Sequence, residues 1–134
     1  MHKTKIVTIF LINSDKILLL KRSQKVKSMK NLWAGISGII EGDEEPFKRA
    51  KIEIYEEVGI EESNIELIKE GKVVLIESPQ YDNHQWEVYP FLFSCDNREI
   101  KLNWENSDSK WINVNELNNF TTVPSLDKVL TRLF

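Results

Sequence analysis

Cysteine and histidine are scarce in this 134-residue chain, and no long apolar run occurs. The single cysteine, Cys95, excludes an intrachain disulfide and fits a reducing compartment. Cys95 ends an apolar stretch and is expected to be a small buried hydrophobe. The two histidines, His2 and His84, form no ligand cluster and are expected at the surface. Neither sign of charge dominates. With 18 Lys and Arg against 21 Asp and Glu, the net charge is -3, which excludes a global pull towards a nucleic-acid polymer or an anionic membrane. The apolar run "IVTIFLI", Ile6 to Ile12, falls well short of the roughly 18 residues of a spanning helix. The "NSDK" that follows it is no signal-cleavage site. The run therefore reads as a buried strand, and the chain as a soluble, cytoplasmic protein. No repeat, low-complexity tract or linker interrupts it, so one domain over residues 1–134 is expected.

What is present is a mixture of strand-like and helix-like segments. Residues 5–12 and 17–21 read as strands joined by "NSDK". A polar loop, "SQKVKSMKN", precedes a short strand "WAGISGII". The stretches "KVVLIES" and "WEVYPFLF" are rich in β-branched and aromatic residues and read as strands. "KWINV" reads as a last strand, "NELNNF" as a short helix and "SLDKVLTRLF" as a C-terminal helix. The elements do not alternate strictly as βαβ units, which points to α+β or to a sheet sandwiched between helices.

The most informative segment is "SGIIEGDEEPFKRAKIEIYEEVGI", Ser37 to Ile60, with seven carboxylates. Pro46 suits the first turn of a helix and Gly59 its C-terminal stop. Phe47, Ala50, Ile54 and Val58 share a face that should pack on the sheet. Glu53, Glu56 and Glu57 then cover an arc of roughly 100° on the other side. An acidic helix face is usually just solvated. Here a strand-ending glycine and a second acid cluster bracket it, and like charges this close repel without a cation. Clustered carboxylates are oxygen ligands for hard cations such as Mg²⁺.

The same residues resemble the Nudix box, G-x5-E-x7-R-E-U-x-E-E-x-G-U, with U a bulky aliphatic residue. Gly38 matches the first glycine, Glu44 the first glutamate, and "IEIYEEVGI", Ile52 to Ile60, the remainder. The position of the box arginine holds Ile52. The N-terminal strands, "LLLKR" and "KWINVNEL" also fall where that family places them. The resemblance implies a three-layer α/β/α sandwich with a mixed β-sheet. It implies hydrolysis of a nucleoside diphosphate linked to another group, a small-molecule nucleotide substrate and Mg²⁺ or Mn²⁺, in a monomer or homodimer. It assigns Glu53, Glu56 and Glu57, with the Ser37 carbonyl, to the metal. It assigns Gly38, Glu44 and Gly59 to box geometry. A later acid often completes such sites, and Glu105 in "NWENSDSKW" is the candidate. Glu53, Glu57 and Glu105 are thus the candidates for the catalytic carboxylates.

Ile52 offers no hydrogen-bond donor where the family's arginine orients the glutamates. Either the site is silent or another cation substitutes, and Arg49, one turn before Glu53, is placed to do so. In the basic stretch "KRSQKVKSMK", Arg22 ends a buried strand and is expected on a substrate phosphate, whereas Lys21, Lys25, Lys27 and Lys30 suit a solvated loop. Trp33, Tyr81, Trp86 and Phe120 could stack on a base, although core packing is the default for Trp86. Three substrate markers of the resembled family are not met. No proline follows the box at the ADP-ribose position, Tyr81 falls late for a dinucleoside polyphosphate enzyme, and Asn118 and Asn119 are not aligned with the MutT-type asparagine. A nucleoside triphosphate or modified nucleotide is the expected substrate; an ADP-ribose or nucleotide-sugar enzyme, or a silent nucleotide-binding module, is the alternative.

Overall fold

The computed structural model describes residues 2–77 and 83–134. Strand β1 (His2–Asn13) runs into β2 (Lys16–Arg22) through a tight turn with Ser14 in the left-handed region. Two short strands follow, β3 (Trp33–Ala34) and β4 (Ile36–Ile39), then helix α1 (Pro46–Val58). Strands β5 (Ile65–Glu70), β6 (Val74–Glu77), β7 (His84–Cys95) and β8 (Asn106–Ile112) precede the short helix α2 (Leu126–Thr131). The eight strands of the described residues belong to one sheet. Among the strands of the described residues, only β1 and β7 pair in parallel, from His2 opposite His84 to Ile12 opposite Ser94, so the sheet is mixed.

Alternation along the central strands explains the layers. Successive side chains of a strand point to opposite faces. Val7, Ile9 and Leu11 of β1, with Leu18 and Leu20 of β2, join Ala50, Ile54 and Val58 of α1 in one buried cluster. Phe10, Ile17 and Leu19 join Leu126, Val129 and Leu130 of α2 in a second. Both faces are covered, which is why these strands read as continuous apolar runs rather than alternating ones. The result is the expected α/β/α sandwich around a mixed sheet.

The sheet departs from the sequence reading at its margins. Strand β5 was not anticipated. Among the described strands it pairs only with β7; it carries a bulge between Leu67 and Lys69 and exposes most of its residues, so its apolar pattern is broken. Gly35 splits "WAGISGII" into two strands where a Cβ would meet the Ile9 carbonyl oxygen at 2.8 Å. The last strand begins at Asn106, four residues before Lys110. "NELNNF" forms a 3₁₀ helix over Val114–Asn119, and the C-terminal helix is confined to Leu126–Thr131. His2 is exposed as expected, but His84 is half-buried, with Nε2 3.1 Å from Thr4 Oγ1. Cys95 is a buried free thiol. Among the described residues, no helix is long and apolar enough to cross a membrane.

Candidate functional site

Helix α1 starts with Pro46 and ends at Gly59, which adopts a left-handed φ of 73° and donates its N–H to Tyr55 O. Its packing corrects the expected separation of apolar and acidic faces. Glu53 and Glu57 are only 7% and 3% exposed, whereas Glu56 lies open to solvent. At 100° per residue, Glu57 sits only about 20° around the helix from buried Ala50. The edge of the acidic arc is therefore carried inward with the apolar stripe, against β4 and the start of β8.

Each buried carboxylate is held by donors. Ser37 N–H donates to Glu57 Oε2 at 3.2 Å, and Asn106 Nδ2 donates to Glu57 Oε1 at 3.1 Å. Arg49 Nη1 donates to Glu53 Oε2 at 3.1 Å. The same guanidinium grips Glu44 with two bonds, Nε to Oε1 at 2.8 Å and Nη2 to Oε2 at 2.6 Å. Glu44 Oε1 also accepts the Glu41 N–H at 3.2 Å, which closes the turn before the helix. Arg49 thus fastens the loop acid to the helix acid, the contact that Ile52 cannot make. Gly38 has a specific reason to be glycine. A Cβ there would overlap the Glu53 carboxyl group.

These surroundings set the ionisation. Burial pushes the Glu57 carboxyl well above its ordinary range, and the charges of Glu105 and Glu53 push it further, against the Asn106 and Ser37 bonds. Burial also raises Glu53, opposed by its Arg49 bond. Glu44 moves the other way, lowered chiefly by the Arg49 hydrogen bond. Burial lowers the Arg22 pKa, while the charges of Glu57 and Glu105 oppose that shift.

These residues surround a cleft of about 540 Å³. One end is polar and is lined by Arg22, Ser37, Arg49, Glu53, Glu56 and Glu105. Glu57 lies beside it, enclosed between Ser37 and Asn106. Arg22 donates to Ser28 O through Nε at 3.3 Å and Nη2 at 3.1 Å. Lys25, Lys27 and Lys30 are exposed and lie outside the lining, which includes Ser28 and Met29 instead. The other end of the cleft is apolar and includes Trp86. Trp33 and Phe120 pack edge to face at 5.2 Å, outside the cleft lining, and Tyr81 lies outside the described residues.

Sequence reasoning missed two asparagines. Asn106 anchors Glu57, and Asn103 fastens the Glu105 loop to α1 by donating Nδ2 to Glu56 O at 3.0 Å. Asn103 Oδ1 also accepts the Glu105 N–H at 3.0 Å. The only signal was their spacing on either side of Glu105 in "NWEN".

Among the described residues, no three acidic, imidazole or thiol side chains already converge as a metal cage. Arg49, Asn106 and Ser37 occupy the carboxylate oxygens instead. The donor set still has the chemistry for a hard cation: three glutamates on one helix, all oxygen donors.

Residues 2–133 match the NUDIX domain. This chain belongs to the Nudix family. A MutT protein from Methanosarcina mazei Go1 superimposes with TM-score 0.77 at 20% identity, over 98% of this chain and 93% of that one. An Ap4A hydrolase from C. elegans gives 0.74 at 16% identity, over 98% and 94%. A UDP-X diphosphatase gives 0.76 at 17% identity, over 99% of this chain and 62% of that one. At these identities the likeness is one of Nudix fold. No curated protein sequence matches the chain.

Proposed function

We propose that this Nudix chain is a metal-dependent pyrophosphohydrolase of a nucleoside triphosphate or modified nucleotide, releasing a nucleoside monophosphate and pyrophosphate. The observation that carries this reading over a silent binding module is the Arg49 bridge between Glu44 and Glu53. Replacement of the box arginine by Ile52 leaves the carboxylate set oriented, because a guanidinium one turn earlier reaches both partners.

Glu53, Glu56, Glu57 and the Ser37 carbonyl are the residues that would hold Mg²⁺ or Mn²⁺. Such an ion, when bound, neutralises phosphate oxygens and makes water a stronger nucleophile. The chain's own groups do the rest. Arg22 lies on the polar side of the cleft and suits a phosphate oxygen. Water attacks phosphorus, the bridging P–O bond breaks, and pyrophosphate leaves with the bridging oxygen. The water's proton passes to a carboxylate, for which Glu53, Glu57 and Glu105 are the candidates. Asn103 keeps Glu105 at the cleft, and Asn106 fixes the Glu57 carboxyl plane.

The test is a screen of standard and oxidised nucleoside triphosphates beside ADP-ribose, with Mg²⁺ or with chelator, and with products resolved by mass. Mg²⁺-dependent release of monophosphate and pyrophosphate is expected. Glu57→Gln should lower turnover about a hundredfold or more, since losing even an outer partner of a metal site costs about 10–100-fold. Turnover confined to ADP-ribose or a nucleotide sugar overturns the substrate. Nucleotide binding without turnover overturns the enzyme, and an unchanged rate in Glu57→Gln overturns the site.

A further inference from the structure

One margin of the sheet gathers exposed apolar side chains. Among the described residues, Leu67, Ile68, Val73 and Leu75 are four of the eight large apolar side chains exposed to solvent. All four fall within residues 67–75, on β5 and in the chain running through β6. Strand β7 occupies one side of β5, and no strand of the described residues lies on the other. The outward backbone N–H and C=O groups of such an edge are a template for pairing with a further strand.

The bulge in β5 decides what fits that edge. Glu66 lies opposite Ser94 and Lys69 opposite Leu92, with Ile68 the extra residue between Leu67 and Lys69. Opposite residues of a ladder share a face, and Ser94 and Leu92 are two apart on β7. Glu66 and Lys69 therefore come to one face, the α2 side on which Leu92 packs. In a regular strand, residues three apart would point to opposite faces. Ile65, Leu67 and Glu70 lie opposite Cys95, Phe93 and Phe91 and take the α1 side.

We infer that this edge is the interface of a homodimer, in which β5 pairs antiparallel with β5 of a second copy about a two-fold axis between Leu67 and Ile68. Such an interface is isologous, so every contact occurs twice. Glu66 of each copy then faces Lys69 of the other on one side of the joined sheet. Leu67 faces Ile68 at the centre, and Glu70 faces Ile65, so no like charges lie directly opposite. Shifting the axis onto Ile68 sets Glu66 against Glu70, and shifting it onto Leu67 sets Lys69 against Ile65. Both shifts pair side chains that belong to opposite faces. A regular strand from another protein would meet β5 as β7 does, with one residue unmatched. A second copy carries the same bulge, so two residues face two and the register holds on either side of the axis. Charges and bulges guard an edge against indiscriminate pairing; here they leave a self-complementary register. The inference does not depend on the reaction proposed above.

The experiment is the mass of the chain by sedimentation equilibrium over a range of concentrations. The wild type should give the dimer mass, falling to the monomer mass on dilution. Glu66→Lys and Lys69→Glu each set like charges across the axis twice, and each should be monomeric where the wild type is dimeric. An equimolar mixture of these two variants should recover the dimer mass, because each then meets the opposite sign. Ile68→Lys, at the centre, should also be monomeric, and it keeps the test decisive if one of the charge variants folds poorly. Lys128→Glu on α2, exposed and with the same change of charge as Lys69→Glu, should remain dimeric. A monomeric wild type at every concentration, a dimer that survives both charge variants, a mixture that stays monomeric, or loss of the dimer in Lys128→Glu overturns the inference.

Discussion

Gly38→Ala is a severe test of the site geometry, because a single methyl group is aimed at one carboxylate. The Cβ would overlap the carboxyl end of Glu53, which is 7% exposed and bonded to Arg49. A free side chain would swing aside at little cost. Glu53 can do so only by giving up the Arg49 Nη1 bond and its place in the cleft. Overpacking of this kind costs about 1–3 kcal/mol. At about 2.1 cal/mol/K of unfolding entropy per residue, 134 residues give about 0.28 kcal/mol/K, so Tm should fall by about 4–11 °C. Moving a catalytic group by about 1 Å can cost about a hundredfold in rate, and a similar loss of turnover is expected here. The assay pairs thermal unfolding with steady-state turnover for Gly38→Ala, Glu53→Ala and the double variant. Once Glu53 is truncated the methyl has room, so Gly38→Ala should add little to Glu53→Ala, a coupling of about 1–3 kcal/mol. Wild-type turnover and Tm in Gly38→Ala, or simple additivity in the double variant, would refute the reasoning.

Arg49→Ala should lower turnover about tenfold or more, since both Glu44 and Glu53 lose their orienting donor. Lys51→Ala, whose partner Glu62 is exposed, should stay within about twofold, and equal small effects in steady-state rates would remove the proposed role. Arg49→Lys should not restore activity, because an ammonium cannot reproduce the two-pronged grip on Glu44; full rescue would count against that geometry. In chelator, the raised carboxyls of Glu53 and Glu57 stabilise the fold below the ordinary value of 4.5, and that contribution is lost as pH rises through their folded values. Glu44 is lowered, so its contribution is lost only as pH falls below the same ordinary value and does not enter the window above it. Tm measured from about pH 5 to pH 8 should therefore fall in the wild type and fall less in Glu57→Gln; identical slopes would be the contrary result.

Much of the fold was legible because local pattern and tertiary role agreed. The apolar runs of β1 and β2 announce strands buried on both faces, and Pro46 and Gly59 bracket α1 by backbone chemistry alone. Strand β5 was hidden because an edge strand with a bulge need not alternate. The full extent of β8 was hidden because "NSDS" has no apolar signature; its pairing with β2, from Asn106 opposite Arg22 to Ile112 opposite Ile17, holds it in the sheet.

The site divides along the same physical line. By itself the sequence determined which carboxylates share a helix, that a glycine precedes them, and that Arg49 lies one turn from Glu53, because these follow from spacing along one chain and the 3.6-residue period. Only the tertiary structure decided that Glu57 is buried rather than solvated, since that depends on Ser37 and Asn106, 20 positions before it and 49 after. It also decided that Arg49 reaches back to Glu44 across the turn. Periodicity specifies which way a side chain leaves its own element. Whether it meets a partner, water or another carboxylate there is set by strands distant in sequence, and burial and proton affinity follow from that meeting.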